Sequence, residues 1–270
     1  MSVKEHPEII LMRHSECQEK QEGASIIKEN LTMKGIEKVL GFGKIVKKNI
    51  IEINSSEEPR ALATAYLLGK SAKGEEIENN ALSYLSSLPN LRGLDNAEYN
   101  KILDYFKINK VIVTSDLNPI DITEEFRKEI MQKELGDKYK DRNARVGYVV
   151  THNDPVECPV GKAACAISYV LESKIKEFDG DDGSIFAVSH APNLESWLEE
   201  QQEGAFIEIL GYKSLKQLEP IKIFRCGNVY VAQIETRNKE LQIPESKIKY
   251  QAEQYSLGMM LKDIDNNTPV

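Results

Sequence analysis

Two arginines and two histidines carry the chemistry that this sequence offers: Arg13 and His14 side by side, then Arg60, then His190. Brought together, they would bind a dianion. Arginine presents a planar fork of donors that matches phosphate oxygens. A neutral imidazole can attack phosphorus and form a covalent intermediate. The arginines and the second histidine would neutralise charge on the equatorial oxygens. Such a reaction also needs a carboxylic acid, first to protonate the leaving oxygen and later to activate water.

These residues lie far apart in the chain, so secondary structure must deliver them. The stretch "EIILM", 8–12, is short and almost wholly apolar. Such a run suits a strand buried on both faces, and Arg13 and His14 follow at its end. "SIFAVSH", 184–190, is another such strand and ends in His190. "NIIEIN", 49–54, reads as a third strand, followed by the helix of "SSEEPRALATAYLLG". Pro59 suits the first helical position, which puts Arg60 in the first turn. A cation is unfavourable at the positive end of a helix, beside its free N–H groups. Its presence there implies an anion that compensates.

Helical periodicity also predicts helices over 32–46, 100–108, 123–135, 160–178 and 193–201, and a strand over 110–116. A hairpin is expected in 220–235, turning at Cys226-Gly227-Asn228. After about Arg237 the chain is polar, and "KDIDNNTPV", 262–270, is expected to be loose. Alternation of strands and helices argues for an α/β fold with a mostly parallel sheet. In such sheets ligands bind beyond the carboxyl ends of the strands. That rim is where Arg13, His14, Arg60 and His190 would meet.

The formal charge of −8 argues against a nucleic-acid partner. No run of about 18 apolar residues occurs and no leader-like apolar segment opens the chain, so a soluble cytoplasmic protein without a membrane partner is expected. Cys17, Cys158, Cys165 and Cys226 form no C-x-x-C pair and are expected to be free thiols, with Cys17 filling space. Trp197, with Leu194 and Leu198, is assigned to the core, and Thr64 to helix packing. In "THNDPVE", 151–157, His152, Asp154 and Glu157 could ligate the metal of a hydrolase. The favoured reading is a turn built on Asn-Asp-Pro.

The segments "LMRHSE", "NLTMKG", "SSEEPRALATA" and "FAVSHAPNLE" occur in the order of the motifs of the histidine phosphatase superfamily, the phosphoglycerate mutase-like enzymes. The chain resembles that family over about 8–70 and 184–200, and only loosely over about 75–180. The resemblance implies a three-layer α/β sandwich with a mostly parallel central sheet. It also implies a single domain over 1–270, with a helical insertion over about 75–180 and a polar tail from about 237. His14 would be the nucleophile that becomes phosphohistidine, His190 the second histidine on the phosphoryl group, and Arg13 and Arg60 the phosphate clamps. Ser15 stands where the family usually has glycine and could still donate to phosphate. Lys20 stands where many members have asparagine. The acid is assigned to Glu98, ahead of Asp95 and Glu157; Ala191 rules out the branch with an aspartate directly after the second histidine.

The implied activity is hydrolysis of a small phosphomonoester through a phosphohistidine, with no metal and no cofactor. Alternatives are a phosphomutase that re-uses the same phosphoenzyme, a phospho-ligand-binding module that has lost turnover, and the metal-dependent hydrolase.

Overall fold

The computed structural model describes residues 6–17, 30–46, 49–92, 94–120, 122–123, 125–152 and 158–267. Lys20, Asp154 and Glu157 lie outside them. Seven strands form one sheet among the described residues: β1 (Glu8–Arg13), β2 (Ile50–Ser55), β3 (Val111–Val113), β4 (Ser184–Ser189), β5 (Pro220–Cys226), β6 (Val229–Ile234) and β7 (Lys239–Pro244), in the order β3-β2-β4-β1-β5-β6-β7. From β3 to β1 the strands are parallel, and β5, β6 and β7 continue as an antiparallel meander. The sheet is therefore mostly, though not wholly, parallel. The expected hairpin joins β5 to β6 through Gly227, whose φ of +64° suits the first position of a tight two-residue turn.

Strand alternation explains the layering. Along β1, Ile9 and Leu11 point to one face, while Ile10 and Met12 point to the other; along β4, Ile185 and Ala187 oppose Phe186 and Val188 in the same way. One face is covered by α1 (Met33–Val46), α2 (Pro59–Ala72), α3 (Asn79–Ser87) and α4 (Asn96–Ile108). After β3 come a π-helical stretch, Phe126–Met131, the short α5 (Gln132–Leu135) and α6 (Arg142–Thr151). The opposite face carries α7 (Val160–Glu177), α8 (Asn193–Gln201), the short α9 (Ala205–Glu208) and α10 (Glu245–Asn267). The result is the expected three-layer α/β sandwich.

Three local outcomes differ from expectation. The charged segment 123–135 is not one regular helix. Its wider winding brings Phe126 and Met131, five residues apart, over a small cluster with Tyr148, Val149, Cys158 and Val160. The polar chain after Arg237 supplies the edge strand β7 and the helix α10, whose Ile248 and Ala252 are buried. Polar sequence hid this helix because only a narrow stripe of it is apolar: Trp197 Nε1 donates to Ser168 Oγ, which donates to Gln251 Oε1, so its contact with α7 and α8 is partly hydrogen-bonded. The segment from 262, expected loose, continues α10 to Asn267, and 268–270 lie outside the described residues.

Candidate active site

Sheet register brings the two histidines together. β1 and β4 are parallel neighbours, and Arg13 pairs with Ser189 at their carboxyl ends. The next residue of each strand is a histidine, and the His14 amide still donates to the Ser189 carbonyl at 3.1 Å. The rings stand 5.0 Å apart, tilted by 51°. β2 flanks β4 on its other side, and Pro59 opens α2 just beyond it. Arg60, in that first turn, reaches back so that Nε and Nη2 lie 3.4 and 3.5 Å from His190 Nδ1.

Hydrogen bonding fixes the protonation of both rings. A carbonyl only accepts, so the 2.7 Å contact between His14 Nδ1 and the Ser15 carbonyl requires the proton on Nδ1. In neutral His14 this leaves the Nε2 lone pair available for attack. A guanidinium only donates, so His190 Nδ1 is an acceptor, and its Nε2–H donates to Ser56 Oγ at 2.6 Å. Both imidazoles are held well below the ordinary histidine range, by burial first. For His14 the charges of Arg60 and Arg13 add to this; for His190, those of His14 and Arg60 do. His14 therefore reaches neutral pH as a free base, the form a nucleophile needs.

Cations crowd this rim. Arg13 is only 7% exposed; its Nη1 donates to the Leu215 carbonyl at 3.1 Å, and its Nε has no partner among the described residues. Burial, and then the charge of Arg142, pull its pKa down to about 10. Arg142, at the first position of α6, acts electrostatically on both Arg13 and His14, and Arg92 acts on Arg60 and His190. Buried like charges with an orphan donor describe an anion site. Two carboxylates border it. Glu58 lies 3.7 Å from Arg60 and 3.9 Å from Arg92. Glu195 is fully buried behind Arg13, with a proton affinity raised by burial against the opposing hydrogen bonds of Ser214 Oγ and the Leu215 amide.

These shifts set a pH dependence. A histidine whose folded pKa lies below its unfolded value stabilises the fold fully above about 6.5. As pH falls below that, the unfolded chain takes up protons first, and stability declines toward the depressed folded pKa. The melting temperature of the ligand-free protein is expected to fall between about pH 7.5 and pH 5.5, less so in a His14→Asn/His190→Asn double variant. Equal pH slopes in the two proteins would contradict the neutral, buried pair.

The remaining candidates separate into two groups. Both donors of Ser15 are engaged within the protein: its amide donates to Thr64 Oγ1 at 3.0 Å and its hydroxyl to the Gly35 carbonyl at 2.8 Å. Thr64, expected only to pack, is thus the anchor of the turn behind His14. Asp95 caps α4, accepting from the amides of Ala97 and Glu98, and Glu98 is exposed in that helix's first turn. The acid assignment to Glu98 or Asp95 gains no support from this placement, and Glu157 is outside the described residues. His152 donates Nδ1–H to the Tyr148 carbonyl and stacks on its ring at 3.8 Å. Cys17 is a half-buried free thiol near Arg13, Arg60 and Arg142.

Gly35 shows why this turn tolerates no side chain. A Cβ there would stand 2.1 Å from the Glu16 carbonyl oxygen, two residues past His14. Gly35→Ala is expected to lower stability by about 1–3 kcal/mol in a denaturant titration and to displace Ser15. At the exposed Gly41 of the same helix a Cβ meets nothing within 4 Å. Gly41→Ala is expected to stabilise by about 0.5–1 kcal/mol. The same sign at both positions would contradict the close approach.

Sequence reasoning missed Arg142, Arg92, Glu58 and Glu195. Arg142 carried a usable signal, a cation at the start of a helix whose Asp141 caps the Asn143 amide. The other three lie in loops or helix starts whose position only the fold reveals.

No family model and no curated protein matches the chain in sequence. Solved structures match it in fold. A phosphoglycerate mutase from Bacillus anthracis str. Sterne covers 92% of this chain and 98% of its own, at 15% identity and a TM-score of 0.51. The YhfR protein of Bacillus stearothermophilus covers 85% of this chain and 96% of its own, at 13% identity and a TM-score of 0.53. At these identities the likeness is one of fold. Among the described residues no helix is long and apolar enough to cross a membrane.

Proposed function

We propose that this chain, whose fold is phosphoglycerate mutase-like, is a phosphohydrolase of the histidine phosphatase superfamily that acts on a small phosphomonoester. The observation that carries the reading is the tautomer of His14: Nδ1–H is tied to the Ser15 carbonyl, leaving an Nε2 lone pair on a rim of arginines and opposite His190. The Nε2–phosphorus bond forms as the bond to the leaving oxygen breaks, and the Ser15 carbonyl steadies the positive charge that appears on the ring. Arg13 and Arg60 hold the equatorial oxygens. A dianion beside His190 Nδ1 favours protonation of that nitrogen, which then donates to the phosphoryl group. Water next attacks phosphorus, the nitrogen–phosphorus bond breaks, and His14 returns to its neutral form.

Of the two carboxylates that border this cluster, Glu58 is the one set between Arg60 and Arg92, and we assign it the proton of the attacking water in place of Glu98. Placed between two guanidiniums it serves better as a base than as an acid. Protonation of the leaving oxygen is then weakly assisted, which favours leaving groups that are stable anions. Hydrolysis of p-nitrophenyl phosphate in excess EDTA tests the reading. Turnover unaffected by EDTA supports a metal-free phosphohydrolase, turnover lost in EDTA favours a metallohydrolase, and no turnover favours a binding module or a mutase.

A further inference from the structure

A cavity of about 520 Å³ opens beyond the carboxyl end of β3, beside the phosphate cluster. Its size suits a small organic ligand, and its walls have distinct chemistry. Two cations line it, Arg92 from the loop before α4 and Lys162 from the first turn of α7. Ile120, Ala163 and, from α10, Met259 add apolar surface to the lining. Asp116 also borders the cavity, but its oxygens are engaged: Oδ1 accepts from the Tyr255 hydroxyl at 2.8 Å and Oδ2 from Thr114 Oγ1 at 2.9 Å. That carboxylate fixes the ring of Tyr255, another lining residue, in place.

Arg92 joins this cavity to the reacting centre. Its Nε lies 3.9 Å from Glu58 Oε1, and Glu58 Oε2 lies 3.7 Å from Arg60 Nη2. A substrate whose phosphoryl group sits among Arg13, Arg60 and the histidines would extend its leaving group past Arg92 into the cavity. Ile120, Ala163, Met259 and Tyr255 offer a ring apolar contact, and Arg92 and Lys162 are the cations of the lining that an anion on that ring would meet. A phenolic leaving group also suits a site with weak acid assistance.

We propose that this cavity binds the leaving-group portion of the substrate and selects an aryl group bearing a second anion, such as a carboxylate; the proposal rests on the phosphohydrolase reading above. Lys162, Tyr255 and Met259 are then specificity residues, two of them supplied by the C-terminal helix.

The test uses equilibrium binding of three ligands that the protein does not turn over: inorganic phosphate, benzylphosphonate and its 4-carboxy derivative, titrated calorimetrically. The carboxylate is expected to tighten binding at least about tenfold, the worth of one charge-assisted hydrogen bond. Lys162→Met is expected to remove most of that advantage while leaving benzylphosphonate unchanged. Ala163→Trp, which fills the cavity, is expected to weaken both phosphonates and leave phosphate unchanged. Equal affinity of the two phosphonates, with phosphate still bound, would overturn the cavity proposal and spare the phosphate site. Failure of all three ligands to bind would overturn both.

Discussion

His14→Ala is expected to lower turnover of p-nitrophenyl phosphate by at least about 10³-fold, a barrier increase of about 4 kcal/mol, while the protein stays folded. The size follows from what is lost. Alanine removes the attacking atom itself, and water cannot take its place at the same effective concentration. Folding survives because the ring's hydrogen bond is local, from Nδ1 to the carbonyl of the next residue, while the turn behind it is held separately by Thr64 and Gly35. Inorganic phosphate should still bind, because Arg13, Arg60 and His190 remain. A variant within tenfold of the parent would remove His14 from the reaction. A variant that neither turns over nor binds phosphate would point to a collapsed site.

Arg60→Met should cost about 10² to 10³ in kcat/KM, the usual loss when one preorganised donor to a developing oxyanion is removed. Two further consequences follow from its neighbours. His190 Nδ1 loses its donor, and Glu58 loses one of its two flanking cations, so its charge would then repel a phosphoryl group. Arg60→Lys keeps the charge but not the planar fork, and recovery should be partial. Steady-state kinetics of the two variants check this. Full activity in Arg60→Met would show that the phosphoryl group does not lie on this side of His190.

Much of the central site was legible because it is built by strand ends. Apolar runs stopping at Arg13-His14 and at His190 mark buried parallel strands, and the register between them needs no long loop to place the rings together. Arg60 was legible for another reason, its electrostatic mismatch with a helix start. Arg142 obeys the same rule and went unread, since the polar sequence around it gave no strand from which to hang the helix. Ser15 was misplaced because sequence spacing says where a residue lies but not which way its donors turn; Thr64 and Gly35 capture them. Glu58 sits two residues before Arg60, yet its bearing on the site depends on Arg92, which arrives from a loop more than thirty residues later. The helix at 245–267 shows the same limit, because its contact with α7 and α8 runs partly through Gln251 and Ser168 rather than through a broad apolar face.

The central claim is that His14 carries the phosphoryl group. The most direct measurement mixes the protein with p-nitrophenyl phosphate, quenches it within the first turnovers under alkaline denaturing conditions, and maps the phosphoryl adduct by mass spectrometry. A phosphoryl group on the peptide holding His14, labile to acid and absent from His14→Ala, is the predicted result. Full turnover with no adduct on that residue, or with an adduct on another side chain, would contradict the account.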